Sequence, residues 1–215
     1  MILLPKKDPR EIAAGLADIS QRALAVGRPA GEVRSMALAR IITAPTAVEA
    51  QEKYDELQRN YHVEAQLVSY AGDTGIDLSK YADDEPLTTS TNGLTSYMVK
   101  GAPQDKPLTA GDVRRKFSEV TRGTDLLFIG TPDAVAQQIQ EHAAVSGLDG
   151  YMLNPLVSPG SLNDFAELVV PRLVERGLYD TEPKSGTLRS RLRPDASDLL
   201  PPSAYGASFR QRVTV

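Results

Sequence analysis

Apolar residues recur along the chain in two patterns, one typical of helices and one typical of buried strands. The first four residues, Met1–Leu4, form an apolar, strand-like run. A stripe of apolar residues at spacings of four, three and four then predicts a helix with one buried face. The members of that stripe are Ile12, Leu16, Ile19 and Ala23. A mostly apolar run within residues 32–44, SMALARIITA, predicts a buried strand.

Capping residues mark where the first two helices begin and end. Asp8 followed by Pro9 predicts an N-cap and a first helical position, and Gly27 predicts the end of that helix. Thr46 predicts the N-cap of a second helix over about residues 47–61, which are rich in Glu and Gln.

The segment FIGTPDAVAQQIQEHAAVSGLDGYMLNP combines a firmly capped helix with a short strand. Thr131 predicts the N-cap, Pro132 the first helical position and Gly147 the end of the helix. Residues 149–153 predict a strand, and the preceding TDLLFIG predicts another short strand or an extended lead-in. The predicted buried stripe of the helix consists of Val135, Ile139 and Ala143.

A further helix is predicted near the C-terminal end. Ser161 and Asp164 have the spacing of a capping box, Pro171 predicts a kink, and Gly177 predicts the end of the helix. The inward-facing residues are expected to be Phe165, Leu168, Val169 and Leu173. Residues 193–215 are rich in Pro, Ser and Ala, so they are expected to form a disordered tail.

Residues 62–124 form a long segment with a weaker pattern, polar turns and one predicted helix over 109–120, and we interpret them as an insertion. The order of strands and helices around it predicts an α/β fold with a parallel sheet. Only about three good strand–helix units are present, whereas a complete (β/α)₈ barrel takes about 250 residues. Residues 1–192 are therefore predicted to be the C-terminal portion of a (β/α)₈ TIM barrel, with the insertion before its last strand. In this reading Met1 falls inside a strand.

Composition excludes several classes of protein. The chain has no cysteine, which excludes disulfides, thiolate metal sites and cysteine nucleophiles. Its net charge is −4, and the basic end from Lys184 onward carries six Lys/Arg against two Asp, which leaves about −8 for the rest. An acidic body argues against a nucleic-acid partner. No apolar run reaches the roughly 18 residues of a membrane span, and a cytoplasmic location is expected.

No motif for catalysis or metal binding stands out. Neither phosphate-loop signature is present, and the KSGT at 184–187 lacks the upstream glycine. The only histidines, His62 and His142, are in no metal-ligand spacing, and both are expected at the surface or at a helix end. The acidic segment 73–85 lacks the pattern of a calcium loop, and no serine stands in G-x-S-x-G. The catalytic residues therefore stay unknown, and no metal site is predicted.

The remaining indication of a functional site is the position of residues within the predicted barrel. Chemistry in such barrels takes place at the carboxyl ends of the strands, which here are residues 4–6, 43–46 and 153–156. Asn154 is a polar residue at the end of an otherwise apolar strand, and a buried Asn needs a hydrogen-bond partner. Either it satisfies a loop or it faces a ligand.

The sequence from Gly130 to Glu182, followed by GTLRSRL, closely resembles the C-terminal end of the bacterial luciferase-like flavin monooxygenases. The branch it resembles most contains the nitrilotriacetate, pristinamycin-synthase and dibenzothiophene-sulfone monooxygenases. GIDLSKYADDEPL and TNGLTS resemble the insertion of that branch, and LLPKKDPREIAAGLADI resembles its sixth strand and following helix. The resemblance extends from residue 1 to about residue 192.

This resemblance implies a (β/α)₈ barrel in which reduced FMN, supplied by a separate flavin reductase, reacts with dioxygen and inserts one oxygen atom into a small organic substrate. It implies that residues 33–43 and 152–154 form part of the pocket wall, with Met152 and Asn154 as cofactor-binding residues. Family members are about twice as long, and their first five strands and the loop that holds the FMN phosphate have no counterpart in this sequence.

Three hypotheses about function remain open. The chain is part of a flavin-dependent monooxygenase, incomplete by itself, or it is a non-catalytic remnant that acts as a partner subunit, either with a missing N-terminal half or as a homo-oligomer. A third option is a compact new fold that binds a small molecule without oxidising it.

Overall fold

A parallel sheet of four short strands carries the fold. The computed structural model describes residues 1–4, 8–29, 31–87, 107–118, 126–182, 185–192, 197–202 and 204–209. The strands are β1 (Ile2–Leu4), β2 (Ser35–Thr43), β3 (Leu126–Gly130) and β4 (Gly150–Leu153). All three pairings between them are parallel. The α/β class with a parallel sheet, predicted from the sequence, is confirmed.

The central strand, β2, pairs with all three other strands. Ala39 accepts a hydrogen bond from the N–H of Asn154, just past β4, at 2.9 Å. The even-numbered Arg34 and Ala44 bond instead to β1 and to Gly130 of β3. Because successive peptide groups of a strand point to opposite edges, β1 and β3 share one edge of β2, one after the other, and β4 occupies the other edge.

Eight α-helices lie in the described part of the chain. They are α1 (Pro9–Ala25), α2 (Ala47–Arg59), α3 (Val63–Thr74), α4 (Ala110–Lys116), α5 (Pro132–Ser146), α6 (Gly160–Asp164), α7 (Val170–Glu175) and α8 (Leu188–Leu192). None of these helices has the length and apolar character that crossing a membrane would require.

The predicted N-caps at Asp8, Thr46 and Thr131 are confirmed. Each side chain accepts a hydrogen bond from a backbone N–H two or three residues further on, at 2.8, 3.2 and 3.3 Å. Gly147 ends α5 in the left-handed conformation, with φ of 68°, which a residue without Cβ adopts at no steric cost.

The main core lies on one face of the sheet, where α5 and the helical turn Phe165–Val169 cover it and Leu173 of α7 joins it. Odd-numbered residues of β2 point to this face and are almost completely buried. The core cluster consists of Ala37, Ala39, Ile41, Leu126, Phe128, Val135, Ala136, Ile139, Val169 and Leu173. In α1, by contrast, only Ile12 of the predicted stripe is fully buried, and the other three members are partly exposed.

One prediction for the C-terminal helix is corrected, and the structure adds a feature near Pro171 to another. The capping box is wrong, because α6 begins at Gly160 and the Ser161 hydroxyl accepts from the N–H of Val157 at 3.1 Å. The disturbance expected at Pro171 takes the form of a π-helical turn over Phe165–Val169, just before it. Such a wider turn accommodates a residue that lacks the N–H of a regular helix.

The helix α3, within the insertion, was not predicted. Its N-cap, His62, makes no side-chain capping bond, and only Tyr70 and Thr74 of the helix are buried. Both signals on which helix prediction depends, the cap and the apolar stripe, are therefore weak here.

The described residues of the insertion build a small core of their own. Its members are Tyr70, Ile76, Leu78, Leu87, Ala110, Val113 and Phe117. Arg114 links this core to the acidic turn, since its guanidinium donates to the carbonyl oxygens of Leu78 (2.6 Å) and Tyr81 (2.8 Å) and pairs with Asp83. Residues 88–106 and 119–125 lie outside the described residues.

Replacing Arg114 by Met is expected to loosen the insertion, because two carbonyl oxygens and one carboxylate lose their donor. Hydrogen exchange at the amides of Leu87 and Ala110, which bond across the turn, should accelerate about fivefold to tenfold. The matched control is Arg115→Met, since the Arg115 side chain is 75% exposed and, among the described residues, pairs with Asp112 in its own helix. Equal acceleration in both variants would contradict the role given to Arg114.

The predicted disordered tail is described only in part. Residues 204–209 contain a short 3₁₀ helix, Tyr205–Phe209, in which these two rings pack edge to face with centroids 5.0 Å apart. Residues 193–196, 203 and 210–215 lie outside the described residues, so disorder of the tail stays a prediction.

Candidate functional site

The second face of the sheet is only partly covered in the described structure. Even-numbered residues of β2 point to it, and the registered partners of those residues in β1 and β4 lie beside them. We call this the open face, and it consists of Leu3, Met36, Leu38, Arg40 and Met152. Leu3 is 45% exposed and Met152 is 43% exposed, although both are large apolar residues.

Met152 and Asn154, the two residues expected to bind a cofactor, lie at the carboxyl end of β4. Met152 pairs in register with Leu38. Asn154 follows the strand, extends the ladder through its backbone N–H to Ala39, and is half-buried. Its side-chain amide bonds to no residue in the described part of the chain, so the interpretation that it satisfies a loop gains no support.

A cavity of about 400 Å³ lies at the carboxyl end of β2, between α2 and α6. Lys53 lies in the wall of this cavity. Its ammonium group donates to the backbone oxygen of Thr43 at 3.0 Å and to Asp164 Oδ2 at 2.7 Å. Thr43 is 1% exposed, and its hydroxyl has no hydrogen-bond partner among the described residues. Asp164, expected to cap a helix, instead joins α6 to α2.

His142 is not at the surface, which corrects the prediction. It is 9% exposed and its Nδ1 lies 2.8 Å from the hydroxyl oxygen of Tyr151. Phe128 packs edge to face on both rings, with centroids 5.9 and 5.7 Å away. Burial raises the pKa of Tyr151 to about 12, so the phenol is neutral at physiological pH. The cluster is part of the core, and it gives His142 a structural role.

An ion pair lies at the opposite, amino end of the sheet. Asp149, just before β4, accepts from Arg34 at 2.6 Å and from the N–H and hydroxyl of Ser35 at 2.8 and 3.0 Å. Arg34 also donates to the backbone oxygen of Leu192, which fixes the GTLRSRL segment to the sheet. These bonds join the start of β4 to β2 and so stabilise the sheet.

The structure supports no functional role for the other candidate positions. His62 is exposed at the start of α3 and lines none of the cavities described. Residues 5–6 and 184, which belong to a predicted strand end and to the KSGT segment, lie outside the described residues. Within the described ranges, no three His, Asp or Glu side chains are grouped so that they could hold a metal ion.

Comparison with known proteins places this sheet in a family. Residues 1–150 match the family model described as luciferase-like monooxygenase. The chain belongs to the luciferase-like monooxygenase family. Relatives of this luciferase-like chain include all three enzymes to which the sequence resemblance pointed. They are a dibenzothiophene-sulfone monooxygenase, a component of nitrilotriacetate monooxygenase and one of the subunits of pristinamycin IIA synthase, at 27%, 28% and 29% identity.

Two curated relatives are more similar in sequence. The long-chain alkane monooxygenase of Geobacillus thermodenitrificans (strain NG80-2) is 31% identical over 209 residues, which are 97% of this chain and 43% of the relative. The dimethyl-sulfide monooxygenase of Hyphomicrobium sulfonivorans is 33% identical over 178 residues, which are 81% of this chain and 37% of the relative. The chain thus spans less than half the length of these luciferase-like relatives.

Solved structures give the same result for the fold. The crystal structure of a long-chain alkane monooxygenase superposes with a TM-score of 0.77 at 32% identity, covering 97% of this chain and 44% of that one. A riboflavin lyase, solved with modified FMN and its substrate riboflavin, superposes with a TM-score of 0.80 at 34% identity, covering 98% and 46%.

The open face suits the ring system of a flavin but not its phosphate. Met36, Leu38 and Met152 give an apolar wall of the kind that a flat ring system needs. Arg40 is the only cation among the described strand residues, and no group of cations on this face is placed to hold a phosphate. The described residues of the open face therefore suit one side of a flat ring system and offer no phosphate site.

Residues 43–46 were predicted to be a strand end, but no local pattern marks Lys53 or Asp164 as residues of a site. Lys53 lies in a helix rich in Glu and Gln, and 111 residues separate it from Asp164. No local spacing marks such a pair, so only the packing of α6 over the end of β2 reveals it.

Proposed function

We propose that this chain forms the C-terminal portion of a (β/α)₈ barrel in a monooxygenase that uses reduced FMN and dioxygen. The observation that carries the proposal is the open face, an apolar wall at the centre of a parallel sheet of the luciferase-like family. In a closed barrel, the face opposite the helices points inward. The residues of the open face would then line the interior, with Met152 and Asn154 near the carboxyl ends of the strands.

In this proposal the described residues bind and orient the flavin ring rather than transfer protons. Met36, Leu38 and Met152 exclude water from one side of the ring, and the Asn154 amide is free to bond a polar ring edge. Reduced FMN, delivered by a separate flavin reductase, supplies the electrons with which one atom of dioxygen is inserted into a small organic substrate. A cytoplasmic location is part of the same proposal.

Replacing Met152 by Glu tests the wall. A carboxylate pressed against an apolar ring loses hydration without gaining a partner, so affinity for reduced FMN should fall at least about tenfold. The measurement is an anaerobic titration of the full chain with reduced FMN, followed by flavin absorbance. Val68→Glu is the matched control, because Val68 is 72% exposed on α3 and away from the sheet.

Two outcomes would contradict this. If the wild-type chain shows no saturable binding of reduced FMN below the millimolar range, the chain does not bind flavin by itself. If Met152→Glu binds as tightly as Val68→Glu, the open face is not the wall of the flavin site.

A second candidate function is that of a non-catalytic partner subunit. The outer edges of β1 and β4 pair with no strand in the described part of the chain, and Leu3 and Met152 are exposed. Unpaired edges and exposed apolar residues favour association, either with a polypeptide that supplies further barrel strands or with a second copy. Light scattering of the purified chain separates the cases, since a stable monomer without aggregation counts against this candidate.

A further inference from the structure

The cavity at the carboxyl end of β2 has the features of a small-molecule site that the flavin proposal does not use. We propose that it binds a small neutral molecule with a hydroxyl or carboxamide head and a short aliphatic body. Its volume of about 400 Å³ falls in the range of known ligand sites, about 300–1,000 Å³. Three polar groups on its wall, from Thr43, Lys53 and Asp164, carry the argument.

The first observation is the hydroxyl of Thr43. The residue lines the cavity and is 1% exposed, yet its hydroxyl bonds to no residue in the described structure. Buried polar groups in folded proteins are almost always hydrogen-bonded, so a buried hydroxyl without a partner calls for an explanation. A ligand whose polar head reaches this hydroxyl provides the missing partner.

The second observation is the geometry of the ion pair. The ammonium group of Lys53 has three N–H donors, of which two are used, by the Thr43 backbone oxygen and by Asp164 Oδ2. Asp164 Oδ1 accepts from no residue in the described part of the chain. A donor and an acceptor thus stand side by side, and they match a head that both accepts and donates, as a hydroxyl or a carboxamide does.

The charges on the cavity wall favour a neutral head group over a charged one. The Lys53–Asp164 pair balances its own charge, and Glu56, also on the cavity wall, adds a carboxylate. An anionic head is repelled by two carboxylates, and a cationic head that bonded Asp164 would compete with Lys53 for its partner. A charged head of either sign also loses its hydration on entering the cavity. The free-energy cost of this loss is much smaller for a neutral head.

The rest of the cavity wall determines which chemical type of ligand body fits. It includes the apolar side chains of Ile41, Ile42, Leu57 and Val157, beside Asn60 and Ser161. An aliphatic chain removes these side chains from water as it binds. The proposal does not depend on flavin binding, because none of the three polar groups belongs to the open face.

The test is a titration of the full, ¹⁵N-labelled chain with 1-hexanol, followed by amide chemical shifts. Saturable shifts are expected at Leu57 and Ser161, which line the cavity, with an affinity at least about tenfold higher than that for hexanoate or hexylammonium. The proposal is overturned if 1-hexanol gives no saturable shift there, if the three probes bind equally, or if a charged probe binds most tightly.

Variants identify the groups responsible. Thr43→Val keeps the shape, removes the hydroxyl, and is expected to lower the affinity for 1-hexanol about fivefold to tenfold without lowering the melting temperature. Thr43→Ser retains the hydroxyl and should retain binding. Lys53→Met is expected to weaken binding to a similar degree, whereas the control Lys80→Met, at a residue whose side chain is 76% exposed, should not. Unchanged affinity in Thr43→Val, or equal losses in the two lysine variants, would overturn the assignment.

Discussion

Replacing Phe128 by Ala is expected to lower the free energy of unfolding by about 3–5 kcal/mol. Phe128 is 5% exposed in the middle of β3 and packs edge to face on the rings of His142 and Tyr151. Its removal leaves a cavity in the main core and takes away one side of the environment that keeps the imidazole buried. Urea unfolding followed by circular dichroism measures the change.

The matched control for this prediction is Phe209→Ala. Phe209 is 66% exposed and contacts Tyr205 in the short C-terminal 3₁₀ helix. Its removal is expected to change the free energy of unfolding by less than about 0.5 kcal/mol. Similar losses in both variants would mean that β3 and α5 do not pack as the structure has them.

Replacing Asp149 by Asn is expected to lower the free energy of unfolding by about 1–2 kcal/mol at pH 7. The variant loses the ion pair with Arg34 and weakens the bonds from Ser35 that join β4 to β2. We choose the lower part of the range for charged hydrogen bonds because 34% of the Asp149 side chain is exposed, and solvent screens the ion pair.

The same carboxylate gives stability a dependence on pH. Burial alone acts to raise the pKa of Asp149, but the hydrogen bonds from Ser35 and Arg34 outweigh it and hold the pKa below its usual value. A carboxyl group whose pKa is depressed in the folded state stabilises fully above its unfolded pKa, about 3.9, and loses that contribution as pH falls through the folded pKa. The difference between wild type and Asp149→Asn should therefore shrink below about pH 4.

Urea unfolding at a series of pH values checks this, with Asp18→Asn as control. Asp18 is 56% exposed and pairs with Arg22 one turn along α1, so its replacement should cost less than about 0.5 kcal/mol. A constant difference between wild type and Asp149→Asn down to pH 2 would show that Asp149 is not held as the structure has it.

The proposed function accounts for the scarcity of catalytic side chains among the described residues. In a flavin monooxygenase the cofactor carries out the oxidation, and the protein contributes shape, orientation and a dry site. The open face offers shape and an apolar surface, and the described residues place Asn154 beside it with an uncommitted amide. The cavity next to Thr43 is a separate polar site at the same end of the sheet.

Local sequence signals were sufficient for most helices and for three of the four strands, and they left TDLLFIG open between a short strand and an extended lead-in. The caps at Thr46 and Thr131 and the glycine at 147 act within three or four residues, so their effect can be read without the fold. The same reasoning failed for α3, where the cap makes no side-chain bond, and at Ser161, where the neighbouring loop uses the hydroxyl differently. Insertion and tail boundaries stay predictions.

The sequence by itself determined most of the order of the elements, with α3 missed, and also the parallel α/β class and the family. Only the tertiary structure decided that His142 is buried against Tyr151, that Lys53 meets Asp164, and that β1 and β3 follow one another along the same edge of β2. For the last two, the physical reason is separation along the chain, whereas His142 and Tyr151, only nine residues apart, lie in two elements that meet when α5 packs on the sheet. Caps and apolar stripes are set by contacts within one or two helical turns, whereas strand register and side-chain pairs over a hundred residues apart exist only after the sheet and its helices have packed together.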